Sequence, residues 1–356
     1  MNTSARWIPR LSIGLAVLAI LVSIGLSFQL SPVVPGATDA PFAGRYHYYG
    51  MAVAPHDAER MWLVGAYGQV RATQDGGRHW QVLPSGLERH LQDVIALDER
   101  TLVAVGNGNA VVRSEDAGQS WVTIPVPMSS VENKLLRIRR APSGELWAVG
   151  VMGTVLVSGD EGRSFVRVVP PEDVAWNDVG FSGRGVWLVG EFGRIQYATD
   201  GVHWHAVESP IADSLMAIDF RGDQGVIAGL NGAALLSEDG GQSWQQVPVQ
   251  AAPALYAAAV LGPRAVLLGG ARGSLLALGP QAQALSPAAG QLAPADVVLE
   301  MEARGRQLLA LTQTHPLRAS LPEAPEVATH SHARAPASLI ARHGSPAVSP
   351  ASGNRL

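Results

Sequence analysis

Five aspartates at near-regular intervals are the first residues that could do chemistry. Asp75, Asp116, Asp160, Asp200 and Asp239 are separated by 41, 44, 40 and 39 residues. Each sits in a short polar turn: TQDGGRHW at 73–80, SEDAGQSW at 114–121, SGDEGRSF at 158–165, ATDGVHW at 198–204 and SEDGGQSW at 237–244. A carboxylate among hydroxyls and histidines could hold a metal ion or a sugar. In a glycine-bearing turn it could instead accept backbone N–H bonds from its own hairpin, the ordinary use of Asp in turns. Repetition in five turns favours the hairpin, because a catalytic group is needed once.

Other side chains suggest other chemistry. Cleavage of an acidic sugar needs an arginine cluster, an acid and a nucleophile pair. Glu300 and Glu302 could supply the acid, but Tyr48, Tyr49 and Tyr256 have no evident glutamate partner. The densest positive charge is KLLRIRR at 134–140, where Arg137, Arg139 and Arg140 could dock an anionic partner or lipid headgroups. The competing reading is a solvated rim paired with acids such as Glu132 and Glu145. Arg71 and Arg113 stand four and three residues before the turn aspartate in the first two repeats. Val157, Tyr197 and Leu236 stand three before it in the others, so the arginine stripe is incomplete. His330, His332 and His343 lie in a Pro- and Ala-rich tail, which gives a metal no fixed geometry. With no cysteine, thiolate sites, disulfides and a cysteine nucleophile are excluded. No catalytic residue, metal or cofactor is expected.

The elements that must position these groups follow from one recurring unit. A strand ends in Gly (WLVG 62–65, VAVG 103–106, WAVG 147–150, WLVG 187–190, VIAG 226–229, VLLG 266–269), and another glycine follows. It comes three residues later in four units, at Gly68, Gly153, Gly193 and Gly232. It comes one residue early at Gly108 and one late at Gly273. Then come a third strand, the Asp turn and an aromatic. A period near 40 with about four short strands per unit is that of a propeller blade. Eight of the nine tryptophans fall in these units, which suits aromatics packed between blades. Five units carry the turn, a sixth at 254–286 has lost it, and a fainter seventh at 296–320 supplies three strands. Residues around 42–46 could add its fourth and close the ring. The expectation is an all-β, seven-bladed propeller over 42–320, with six and eight blades as alternatives. Loops entering the innermost strands would carry His90, Gln92, Asp93, Trp176, Asn177, Asp178, Asp213 and Tyr256 to one mouth of the central channel. Of these, Trp176, Asp178 and Tyr256 join Arg71, Arg113, Arg137, Arg139 and Arg140 as candidate partner-binding residues.

The net charge of -4 and 39 glycines fit a turn-dense β fold and give no reason to invoke nucleic acid. Residues 11–30 are uncharged and long enough to span a bilayer as a helix. Arg6 and Arg10 precede them, which puts residues 1–10 in the cytoplasm and the propeller on the far side, facing a bacterial periplasm. A cleaved signal peptide, giving a periplasmic or secreted protein, is the alternative. Residues 31–41 read as a linker and 321–356 as a disordered tail.

The unit, with its V-G-x-x-G and [ST]-x-D-x-G-x-[ST]-W elements, resembles the bacterial neuraminidase (Asp-box) repeat. Over roughly 45–285 the chain resembles the photosystem II assembly and stability factor family of propellers. That resemblance implies a non-catalytic lumenal or periplasmic scaffold that binds a membrane-protein assembly intermediate through an arginine-rich surface. Two other readings stay open: a glycan-active or glycan-binding sialidase-like propeller, and an accessory subunit of an envelope transporter.

Overall fold

The structure, a computed structural model, describes residues 30–32, 47–127, 133–249, 253–262, 265–278, 284–285, 292–304 and 307–320. Seven four-stranded antiparallel sheets follow the repeats. Their innermost strands are Tyr48–Ala54, Leu91–Ala96, Leu135–Arg140, Trp176–Ser182, Leu215–Arg221, Leu255–Gly262 and Val298–Arg304, in blades one to seven. Each innermost strand lies beside those of the blades before and after it, and that of blade seven lies beside Tyr48–Ala54, so the ring closes.

The strands are apolar on both faces because every blade is sandwiched between two others. In blade one, Met61 and Leu63 pack toward blade seven, while Trp62 and Val64 pack toward blade two. Seven separate apolar clusters fill the seven interfaces. The aromatic that ends each Asp turn packs toward the preceding blade: Trp80 against Leu309 and Leu311 of blade seven, Phe165 with Val103 and Val105 of blade two.

The strand-end glycines have one cause. A Cβ on Gly65, Gly106, Gly150 or Gly270 would lie 2.1 Å from the carbonyl oxygen of the residue before the adjoining innermost strand. The apparent early and late glycines resolve as well. In blade two, Gly108 (φ 69°) and Asn109 (φ 54°) take the pair of left-handed positions that Tyr67 and Gly68 take in blade one. In blade six the glycine that pairs with the start of the inner strand is Gly270, not Gly269, so Gly273 comes at the usual spacing.

The closing strand is a correction. The fourth strand of blade seven is Leu30–Pro32, paired with Pro316–Ser320, and not residues 42–46. The propeller therefore takes in the last residue of the apolar run and the first two of the expected linker. The rest of that run and the 321–356 tail with its histidines lie outside the described residues. Among the described residues, no helix is long and apolar enough to cross a membrane.

Candidate functional site

The Asp turns are closed on themselves. The Asp160 Oδ1 atom accepts the Ser158 hydroxyl at 2.8 Å and the Ser164 N–H at 2.9 Å, while Oδ2 accepts the Ser164 hydroxyl at 2.6 Å. Asp116 and Asp239 repeat this with Ser114 and Ser120, and with Ser237 and Ser243. Asp75 and Asp200 use His79 and His203, each with its ring 2.6 Å from the carboxylate. Bonds from Ser164 and Ser158 hold the Asp160 carboxyl at about 2. At Asp75 burial pushes the other way, but the bonds from His79 and Thr73 prevail and hold it at about 2. These carboxylates are spent inside their hairpins, and among the described residues no group of acids and histidines could hold a metal ion.

The channel is built differently. Every innermost strand carries a β-bulge at its second residue, where the pairing register skips one position. A bulge re-aims the extra side chain. The seven extra residues line a single cavity of about 150 Å³ at one mouth of the channel. Blades one and six contribute the aromatics Tyr49 and Tyr256. Blades two and four contribute the amides Gln92 and Asn177. Blades three, five and seven contribute Leu136, Met216 and Leu299, and Arg137 completes the wall. The Asn177 Nδ2 donates to the Leu215 carbonyl at 2.7 Å, and the Gln92 Nε2 donates to the Asn107 Oδ1 at 3.1 Å.

A charge network links the inner strands across the channel. The residue after the bulge is acidic in blades two, four and seven. Each acid accepts a backbone N–H from the next blade: Asp93 from Ile138 at 2.9 Å, Asp178 from Ile218 at 3.1 Å, Glu300 from Met51 at 2.8 Å. Asp219 does the same for Val260 at 2.7 Å. Two arginines of blade three reach across. Arg139 pairs with Asp178 at 3.2 Å and with Glu300 at 3.6 Å, and Arg137 donates to the Leu299 carbonyl at 2.9 Å. Burial, with the charge of Asp93, pushes the Glu300 carboxyl up to about 8 against the pull of Arg137 and Arg139. Burial also raises Asp93 and Asp219. Burial works against the charge on Arg139, yet Asp178, Glu300 and Asp93 outweigh it and raise its pKa.

The expected binding residues therefore separate. Tyr256 and Arg137 meet at the cavity, with Gln92 and Asn177. Arg139 and the fully buried Asp178 belong to the network beneath it. Trp176 is buried under the Arg194 guanidinium, 5.1 Å above its ring, and Arg194 is held by both oxygens of Glu172. Arg71 and Arg113 are buried, with Arg71 bonded to the Tyr48 hydroxyl and Arg113 to the Glu161 carbonyl at 2.9 Å and to Glu115. Arg140 is exposed, near the Leu97 carbonyl. The glycosidase acids are engaged too: Glu300 as above and Glu302 with Arg304.

Sequence reasoning missed two aromatics at the same mouth. Tyr67 (φ 54°) and Phe192 (φ 57°) occupy left-handed turn positions that glycine or asparagine would fill more easily, and they are 63% and 73% exposed. The Tyr67 ring lies 4.8 Å from that of His90, which in turn lies 6.2 Å from that of Tyr49 at the cavity wall. The signal was present in the sequence as AYG and EFG between the paired glycines.

No protein-family model matches the chain. It is similar to the photosystem II assembly protein Ycf48 of Thermosynechococcus vestitus (strain NIES-2133 / IAM M-273 / BP-1), with 28% identity over 341 residues, covering 78% of this chain and 90% of the relative. It is also similar to the photosystem II assembly lipoprotein Ycf48 of Synechococcus sp. (strain CC9902), 25% identical and covering 62% of this chain and 68% of the relative. Among solved structures, YCF48 bound to D1 peptide matches with a TM-score of 0.64 and 19% identity, covering 82% of this chain and all of that one. Virginiamycin B lyase from Staphylococcus aureus matches with a TM-score of 0.63 and 12% identity, covering 83% of this chain and all of that one. At these identities the structural likeness shows the propeller fold, which assembly factors and a lyase share.

Proposed function

We propose that this chain is a non-catalytic, membrane-associated propeller that holds a membrane or envelope protein at its channel mouth and aids assembly of a membrane complex. The observation that carries this reading is the seven-fold bulge, which aims one side chain from every blade into one cavity. The lining is two Tyr, two Leu, one Met, one Arg and two amides with no acid, and Tyr, Met and Arg are the residue types enriched at the centres of protein interfaces. The acids nearby are taken up in bonds to the neighbouring blades. The class of partner comes from the relatives, which are named as photosystem II assembly proteins and align with this chain over most of their length. A photosystem-type reaction-centre subunit is the first partner to seek.

Some of those relatives are named lipoproteins. This sequence has no cysteine to carry a thiol-linked lipid, so attachment falls to the apolar run at 11–30, short of the Leu30 that enters the closing strand, with the propeller facing away from the cytoplasm.

The test is a crosslinking pull-down from native membranes with the full chain. Enrichment of one membrane protein over an unrelated anchored propeller is the expected result. If nothing is enriched while a glycan array lights up, the chain is a sugar-binding propeller instead.

A further inference from the structure

We propose that the channel-mouth cavity is a socket for a single aromatic side chain, tyrosine ahead of phenylalanine, presented by an exposed loop of the partner. This rests on the channel mouth being the binding face and names what enters it.

Size comes first. A cavity of about 150 Å³ matches the engineered protein cavity of similar volume that takes up benzene. One aromatic ring fits and a folded element does not.

The lining supplies the matching contacts. Tyr49 and Tyr256 offer ring faces and edges from blades one and six, and Met216 offers a thioether. Arg137 offers a guanidinium to a ring face. The amide nitrogens of Gln92 and Asn177 are held by Asn107 and Leu215, so each amide is oriented and its oxygen remains to accept a phenolic O–H. That pair favours tyrosine over phenylalanine. An ammonium group would lie beside Arg137. A carboxylate would enter between leucines above Asp93 and Glu300 and lose its hydration for one arginine already bonded to Leu299.

The socket is also preformed. The bulges are set by backbone pairing, and the strand-end glycines let the inner strands seat tightly. A rigid site loses little entropy on binding. Tyr67 stands beside it as an exposed aromatic on a strained turn, its ring against that of His90 next to Tyr49.

The experiment uses the full chain in detergent and blocked amino-acid amides as probes, read by saturation-transfer NMR. N-acetyl-tyrosinamide should bind with a Kd of about 1 mM, roughly the affinity of a small fragment, ahead of the phenylalanine amide. The leucine and aspartate amides and N-acetylglucosamine should compete at least ten-fold more weakly. Filling the socket with Met216→Trp should abolish tyrosinamide binding, and Leu136→Trp is the second filler should the first misfold. Binding that survives in a folded filler variant overturns the proposal. So does preference for the aspartate amide or the sugar, or no binding of any probe at about 10 mM, an affinity too weak for an anchor. The pull-down separates this inference from the reading beneath it. A filled chain that still captures the wild-type partner sinks the socket and leaves the scaffold. A wild type that captures nothing sinks the scaffold whatever the probes do.

Discussion

Within KLLRIRR, the three arginines differ in what their removal would do. Arg139 faces two acids in the channel, and its loss would leave the buried Asp178 carboxylate without its ion-pair partner. Breaking such a pair costs a few kcal/mol, so Arg139→Ala should lower Tm by roughly 5–10 °C for a domain of this size. Arg140 is exposed and its removal should stay within about 0.5 kcal/mol. A differential scan of the two variants checks both, and equal Tm values would show that the network contributes nothing. Glu300 adds a pH dependence. Its folded pKa of about 8 lies above the ordinary carboxylate value, so its contribution is full below about pH 4.5 and is lost as pH rises through 8. Glu300→Gln should therefore flatten the fall in Tm between pH 5 and pH 8. An unchanged slope would assign it to Asp93 and Asp219, whose pKa values are also raised. The sequence made this cluster legible as charge but not as burial. An arginine run on a strand looks the same whether it faces solvent or an acid 39 or 161 residues away.

At the scale of the element, the Asp turn and the strand-end glycine were legible because the same contact recurs, the turn in five blades and the glycine in six, and so leaves the same residue. Gly241 shows the strength of that constraint. It has φ 97°, and a Cβ there would lie 2.5 Å from the Trp187 ring of its own interface. Gly241→Ala combines an unfavourable backbone with a clash against a buried ring. It should cost about 2–4 kcal/mol, measured by urea denaturation. Asp160→Ala removes three hairpin bonds at an exposed turn and should cost about 1 kcal/mol. If Asp160→Ala proved the more damaging of the two, the boxes would have a role beyond their hairpins. The bulge was not legible for the opposite reason. Its shared feature is an extra backbone residue, while its side chains (Tyr, Gln, Leu, Asn, Met, Tyr, Leu) share no chemistry. Only an alignment of the innermost strands by their pairing reveals them as one set. The strained turn at Phe192 has its own consequence. Phe192→Asn relieves a left-handed phenylalanine and should raise stability by up to about 1 kcal/mol, measured by urea denaturation.

For the whole molecule, the blade count followed from the period, but the closure did not. A three-residue strand carries no periodicity, and Leu30–Pro32 begins at the end of a run whose apolarity has a sufficient reading as an anchor. Closure through that strand joins the two ends of the propeller sequence in one sheet, since Pro316–Ser320 lies next to it in blade seven. Without it, Pro316–Ser320 becomes an open edge, and the ring depends on the interface of blade seven with blade one: the apolar contact through Leu309 and Leu311 and the bonds that Glu300, Arg304 and Arg318 make to blade one. Ser31 pairs with Arg318, and Ser31→Pro takes an N–H from a three-residue strand. In the full chain, this change should speed amide exchange across Leu317–Ala319 by ten-fold or more, with little effect on blade four. Exchange at Leu317–Ala319 that is unaltered by Ser31→Pro would mean that the ring is held by its interfaces alone.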